Sequence, residues 1–334
     1  MKKIAIIGAG SFGTALAIVL SKSRRPHHLA LWGHSAEVVD LLCTRRANEI
    51  YLPGSNLPSE VQVTGVLKDA LAGAEIVLGV IPSAYAREVY RAMRAHLAPH
   101  AAFVSATKGL EPSTHDRMSE VIAQEIGANG RPPIAVLSGP SFAAEVARGD
   151  PTAVVLASTD SAFAAVVQEE FAGPTFRLYT NDDVIGTEIA GAVKNVIAIA
   201  AGVCAGSGLG ANTAAALITR GLAEMTRLAV ELGGRRDTLS GLAGVGDLIL
   251  TSTGHLSRNR SVGVELGKGR SLKEILGETR RIAEGVGTTA ATLDLARRVG
   301  VEMPITEQVH AVLTAGRATQ VAIRELMERR LKQE

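Results

Sequence analysis

A chain of 334 residues exceeds what one hydrophobic core usually organises, so its length points to about two domains. Hydrophobic residues make up 46% and charged residues 20%, enough apolar surface to offset the entropy of ordering a large fold, which excludes intrinsic disorder. The 35 basic and 33 acidic side chains leave a net charge of +2, too balanced for a nucleic-acid binder that works by neutralising phosphates.

The chain opens MKKIAIIGAG, two lysines and then a glycine-broken apolar run too short for a cleavable signal, so it is read as starting directly in structure. A strand over Lys3–Ile7 is followed by a helix over Phe12–Ser23, and further apolar runs come at His28–Trp32, Glu75–Ile81, Ala101–Ala106, Ile134–Leu137 and Thr152–Ala157. Helical spacing separates these runs. The alternation predicts a parallel sheet covered on both faces, an α/β domain of the doubly wound, Rossmann type. After Asn181 strand-like runs become rare, and helices are expected at Val184–Ala205, Asn212–Leu232, Arg258–Lys268, Thr288–Val299, Ile305–Ala315 and Ala318–Leu331. The expected division is a dinucleotide-binding domain over residues 1–182 and an all-α substrate domain over 183–334. The apolar stretch Ile189–Thr219 is rich in Ala and Gly and holds Lys194, Asn195, Ser207 and Asn212, so it reads as close-packed core helices and not as a membrane span.

Gly8, Gly10 and Gly13 stand in GAGSFG, between the first strand and the first helix. In that setting the first glycine permits a tight turn, the second lets backbone approach a pyrophosphate, and the third lets helix pack on strand. The phosphates would then meet the positive end of the helix dipole. At the end of the second strand, where an NAD-selective fold places Asp or Glu, this chain has Gly33 and His34. Nothing there repels a 2′-phosphate, so NADP(H) should be accepted and can be favoured over NAD(H). His34 either donates to that phosphate or is a solvated surface group.

Lys194 lies between AGAV and NVIAIAAG, so its ammonium belongs on a largely buried helix. Desolvation moves a lysine pKa towards neutrality, where it can exchange a proton with substrate; the alternative is a lysine snorkelling from a helix edge. Asp247 stands alone in the apolar GLAGVGDLILT and calls for a cationic partner. Ser257, Arg258 and Asn259 open a helix in SRNR, where backbone amides and the Arg fork could grip a phosphate, or where Ser257 simply caps a surface helix. Lys108 in SATKGLE and Gly139 with Ser141 in LSGPSFAAEVARG follow strands at the sheet edge where ligands collect, although Lys108 can equally be a surface lysine.

Taken together, GAGSFGTALA, NEIYLPG, SATKGLE, LSGPSFAAEVARG, GAVKNVIAIAAG, LITRGLAEM, GLAGVGDL and SRNR resemble the bacterial NAD(P)-dependent glycerol-3-phosphate dehydrogenases nearly end to end. The resemblance implies an oxidoreductase that reversibly reduces dihydroxyacetone phosphate to sn-glycerol 3-phosphate for glycerophospholipid synthesis. It places the family's proton-transferring lysine on Lys194, and its substrate contacts on Lys108, Gly139, Ser141, Asp247, Ser257, Arg258 and Asn259. Its coenzyme contacts fall on Ser11, Phe12, His34, Lys108, Ala143, Arg258, Ile282 and Glu284, the last two by resemblance alone. Phe12 stands where relatives commonly carry Trp or Tyr, which keeps an aromatic ring.

No metal is expected: the eight histidines are scattered apart from His27 and His28, and hydride transfer needs none when a lysine polarises the carbonyl. Cys43 and Cys204 are too few for a disulfide framework and fit a reducing cytoplasm. A homodimer is a reasonable assembly for the apolar helical half. The competing readings are another β-hydroxyacid or 6-phosphogluconate-type dehydrogenase, against which the SRNR segment argues, and a nucleotide-sensing module, which would have no use for a buried lysine.

Overall fold

The computed structural model describes residues 1–127, 132–278 and 283–330. They form two compact units, Met1–Lys108 with Asp116–Glu188, and Gly109–His115 with Ile189–Glu334.

In chain order the first unit contains β1 (Lys2–Ile7), α1 (Ser11–Leu20), β2 (His27–Trp32), α2 (Ala36–Thr44), a short hairpin of β3 (Ala47–Asn48) and β4 (Leu52–Asn56), and β5 (Gln62–Thr64). It continues through α3 (Leu67–Leu71), β6 (Ile76–Gly79), α4 (Ser83–Met93), β7 (Ala102–Ser105), α5 (Met118–Ile126), β8 (Ile134–Ser138), α6 (Ala143–Arg148), β9 (Thr152–Ala157), α7 (Ser161–Phe171) and β10 (Phe176–Asn181). Eight strands make one sheet in the order β10-β9-β8-β7-β6-β1-β2-β5. The apolar runs arise because both faces are covered. Ile4 and Ile6 of β1 enter one buried cluster, while Ala5 and Ile7, pointing the other way, enter a second. β1 pairs in parallel with β2 on one side and β6 on the other, so the strand order reverses at its carboxyl end, where ligands of open α/β sheets bind.

The sheet departs from the expected all-parallel form at one end, for β9 runs antiparallel to β8 and β10 then pairs in parallel with β9. The connection from β8 to β9 holds only the six-residue α6. At about 1.5 Å per residue such a helix spans only about 9 Å, too short to carry the chain back along the length of β8 as a parallel crossover helix must.

The second unit is helical: most of α8 (Val184–Gly206), then α9 (Ala211–Glu231), α10 (Arg236–Ser240), a π-helical turn over Leu242–Gly246, α11 (Asp247–Thr253), α12 (Arg258–Gly267), α13 (Leu272–Gly277), α14 (Glu284–Arg298), α15 (Pro304–Ala315) and α16 (Thr319–Met327). By length and composition α8 could cross a membrane, but 89% of its apolar window is buried inside the protein, as in a core helix. Glycines set how closely α12 lies on it. A Cβ on Gly202 of α8 would fall 2.1 Å from the Arg260 carbonyl oxygen, and one on Gly263 of α12 would fall 2.0 Å from that of Ile199. The two backbones touch, which only glycine permits.

Across the unit, Glu224 of α9 is 2% exposed and caps α15: its carboxyl accepts from the backbone N–H of Ile305 at 2.6 Å and of Thr306 at 3.3 Å. Pro304, at the first position of α15, has no N–H to satisfy. Burial pushes the Glu224 carboxyl up to about 7 against its amide donors, from an ordinary value of 4.5. The folded chain therefore binds more protons than the unfolded one between those values, and stability falls as pH rises through this window. Urea unfolding of wild type and Glu224→Gln should thus diverge between pH 4.5 and 7, the wild type losing on the order of 3 kcal/mol relative to the variant. A difference that stays flat across the window would show that the carboxyl is already ionised in the fold.

Candidate active site

The three glycines after β1 are required for three separate reasons. Gly8 has φ +124°, its N–H donates to the Trp32 carbonyl at 3.0 Å, and a Cβ there would fall 2.3 Å from the Val80 oxygen. A Cβ on Gly13 would fall 1.8 Å from the Gly8 oxygen, so helix and turn are in direct contact. A Cβ on Gly10 would meet nothing within 4 Å, and Gly10 ends the turn as an N-cap without side-chain capping. Ser11 and Phe12 follow as the first residues of α1. The turn thus presents the start of a helix to open space, the arrangement that receives phosphate oxygens.

At the end of β2, Gly33 packs against Val39 and Ala9, and His34 is exposed with its ring 6.1 Å from that of Trp32. Ser35 caps α2 by accepting from the Val38 N–H. The residues directly after β2 carry no carboxylate.

Lys108 is half-buried and held in place. Its Nζ donates to the Gly139 carbonyl at 2.8 Å and to Ser141 Oγ at 3.2 Å, and it stands 5.7 Å from the centre of the Phe12 ring. Ser141 Oγ donates in turn to the Gly139 carbonyl at 2.8 Å. Gly139 can offer that oxygen because its φ is +125°, a conformation other residues rarely adopt. Ala143 opens α6 and packs with Phe12 against the same apolar cluster. Lys108, Gly139, Ser141 and Phe12 are therefore one constellation, with Ala143 and Ser11 at its edge. Thr107 beside it is a residue the sequence did not single out: its hydroxyl donates to the Ile81 carbonyl at 2.6 Å and accepts from the Ile81 N–H, tying together the carboxyl ends of β6 and β7.

In the helical unit Lys194 is 5% exposed, and its Nζ lies 2.5 Å from Asp247 Oδ1 and donates to Thr251 Oγ1 at 3.0 Å. Asp247, 1% exposed, is the first residue of α11, and the Lys194 ammonium beside it favours its negative charge. Thr251, one turn further along the same face, donates to the Asp247 carbonyl at 2.6 Å. Neither partner reaches Lys194 from a loop. The π-helical turn before α11 shifts the register of these side chains, a distortion often found at functional sites.

Next to Lys194, Asn195 Oδ1 accepts from Asn259 Nδ2 at 2.9 Å, and Asn259 Oδ1 accepts from the Gly285 N–H at 2.9 Å. This chain ties α8, α12 and α14 together. Ser257, 3% exposed, caps α12 by accepting from the Arg260 N–H at 3.2 Å, and Arg258 begins that helix with an exposed side chain. Glu284, half-buried, opens α14 beside Gly285. Ile282 lies outside the described residues. Lys194, Asp247 and Asn259 are thus joined by direct or single-residue links, with Ser257 and Arg258 at the N-terminus of α12. Thr251 escaped the sequence reading, although its i+4 spacing from Asp247 on a helix was available as a signal.

The family model for the N-terminal part of NAD-dependent glycerol-3-phosphate dehydrogenase matches residues 3–164, and the model for the C-terminal part matches residues 183–324. A curated relative from Koribacter versatilis, named glycerol-3-phosphate dehydrogenase (NAD(P)+), is 55% identical over 330 residues, covering 98% of each chain. One of the same name from Acidobacterium capsulatum is 54% identical with the same coverage. The crystal structure of glycerol-3-phosphate dehydrogenase from Coxiella burnetii superimposes with a TM-score of 0.93 at 43% identity, covering 98% of this chain and 99% of that one. With both halves matched and identity above one half along the whole length, the chain belongs to the NAD-dependent glycerol-3-phosphate dehydrogenase family.

Proposed function

We propose that this chain reversibly reduces dihydroxyacetone phosphate to sn-glycerol 3-phosphate, using NADH or NADPH. The observation that carries the reading is the buried Lys194 ammonium held on Asp247 and Thr251, within a family whose members are named for this reaction. The first unit fits a dinucleotide, because Gly8 and Gly13 make a turn that a Cβ would block and Gly10 leaves open space at the start of α1. Gly8, Gly10, Ser11, Phe12 and Gly13 would hold the pyrophosphate side, with Lys108, Ala143 and Arg258 as further contacts and His34 beside the adenosine ribose. When bound, the coenzyme supplies or takes the hydride.

The chain's own residues do the rest. Lys194 Nζ gives a proton to the substrate oxygen that becomes the C2 hydroxyl, and takes it back in the oxidising direction. Asp247 balances the ammonium charge and, with Thr251, fixes where Nζ points. Ser257 and the first turn of α12 present backbone amides, and Arg258 a guanidinium fork, to the substrate phosphate. The Asn195–Asn259 pair keeps that helix start in register with Lys194. Lys108, Gly139 and Ser141 complete the substrate contacts. The product is the phosphorylated glycerol on which glycerophospholipids are built, and the cytoplasm, where Cys43 and Cys204 stay reduced, is the setting we read, with a homodimer as the assembly.

Two measurements test this. Lys194→Ala should keep coenzyme affinity while kcat falls by about a hundredfold or more, the usual scale for a general acid-base group. A near-normal rate would remove Lys194 from the proton step. NADPH absorbance should fall on adding dihydroxyacetone phosphate and barely change with unphosphorylated dihydroxyacetone; equal rates with the two ketones would reject phosphate recognition.

A further inference from the structure

Asn48 is fully buried, on a two-residue strand of an inserted hairpin, and none of the site residues described above is its sequence neighbour. Its side chain nevertheless reaches the coenzyme turn. Nδ2 donates to the Ala9 carbonyl at 2.9 Å and to Thr14 Oγ1 at 2.8 Å, while Oδ1 accepts from the Tyr51 N–H at 3.1 Å. Both amide hydrogens are used, and the orientation is fixed, since turning the group over would set its oxygen against the Ala9 carbonyl and its NH2 against the Tyr51 N–H. The hairpin that carries it is itself pinned. Arg46 donates to the Pro58 and Val61 carbonyls, the Leu57 N–H donates to the Arg46 carbonyl at 2.7 Å, and Leu52 and Leu57 are buried in the cluster that includes α1.

The consequence lies in the planarity of the Ala9–Gly10 peptide. That bond is trans, so its C=O and N–H point in opposite directions. Drawing the Ala9 oxygen inward onto Asn48 turns the Gly10 N–H the opposite way, and it meets no acceptor among the described residues; the position itself is open, since a Cβ on Gly10 would meet nothing within 4 Å. The second hydrogen, on Thr14, locks the same amide to the first turn of α1, so turn and helix start cannot rotate independently.

We infer that Asn48 is a positioning residue for coenzyme binding: it holds the Ala9–Gly10 peptide plane so that the Gly10 amide faces the pyrophosphate. The inference rests on the dehydrogenase reading above. Asn48 touches no ligand itself and acts through Ala9 and Thr14. Asparagine is required because aspartate, of the same shape, has no hydrogens to give and would set a negative charge against the Ala9 carbonyl and near the phosphates.

The test is a fluorescence titration of NADPH and NADH into wild type, Asn48→Asp and Asn48→Ala, with thermal unfolding of each and steady-state kinetics. Both variants should weaken coenzyme binding by about tenfold or more, as expected for a lost buried donor. The coenzyme KM should rise by a similar factor, with kcat at saturating coenzyme within about threefold of wild type. Phe176→Ala, which opens a cavity under the edge strand β10 and leaves the hairpin intact, should lower the melting temperature and leave the dissociation constant within about twofold. Coenzyme affinity unchanged in folded Asn48→Asp overturns the inference, as does an equal loss of affinity in Phe176→Ala. Should neither Asn48 variant fold, Thr14→Val decides: it keeps the shape and removes the acceptor, and must weaken coenzyme binding by at least about threefold for the inference to stand. Failure of the wild type to bind either coenzyme would instead bring down the dehydrogenase reading, and this inference with it.

Discussion

The helical unit is organised around a charge it cannot hydrate. An ammonium moved into a protein interior loses several kcal/mol of solvation, and attraction to a buried carboxylate repays this only when the geometry is close and the remaining polar atoms are satisfied. Lys194 and Asp247 meet that demand at 2.5 Å, with Thr251 bonded to both. Removing Asp247 would leave the ammonium buried without its carboxylate, a loss on the order of 3–5 kcal/mol. The pair therefore requires two rigid helices, α8 and α11, and a core dense enough to exclude water around them.

Glycine supplies that density. Gly202 and Gly206 on α8 meet Gly263 and Gly267 on α12, each placed where a Cβ would strike the other helix's backbone or the residues just past its end. The contact carries the N-terminus of α12 to the level of Lys194, where Asn259 finds Asn195 and Gly285. A Cβ on Gly285 would in turn fall 2.7 Å from the Asn195 oxygen. The turn after β1 follows the same logic in the other unit: small residues occur where backbone must come within bonding distance of backbone.

What the sequence disclosed follows from what kind of partner each residue has. The central strands were legible because burial on both faces writes an unbroken apolar run, and β10 was not, because FRLYTN alternates buried and exposed positions at the sheet edge. Strand direction at β9 was hidden, since it depends on how far α6 can carry the chain, and no residue type records that. The glycine turn was legible because conformational need selects one amino acid. Asn48 was not, even inside the recognised NEIYLPG: the atom it serves is a backbone carbonyl 39 residues away, and any residue can supply one. Lys194 stood out through its apolar flanks, and Asp247 through its isolation; that they meet each other is a tertiary fact that charge alone suggested.

Two opposing effects act on Lys194, and their balance bears on the direction of the proton. Burial favours the neutral amine, while a carboxylate at hydrogen-bond distance favours the ammonium. Here the second is reinforced by direction. Asp247 and Thr251 both engage the ammonium, which restricts rotation about Cε–Nζ. An amine that had lost its proton would donate less strongly to Asp247 and leave the carboxylate buried against a neutral partner. In the proton transfer proposed above, the carboxylate would therefore favour return of a proton from water to the neutral amine. On that reading, the ion pair that costs the fold its solvation energy would also reset the proposed proton donor between turnovers.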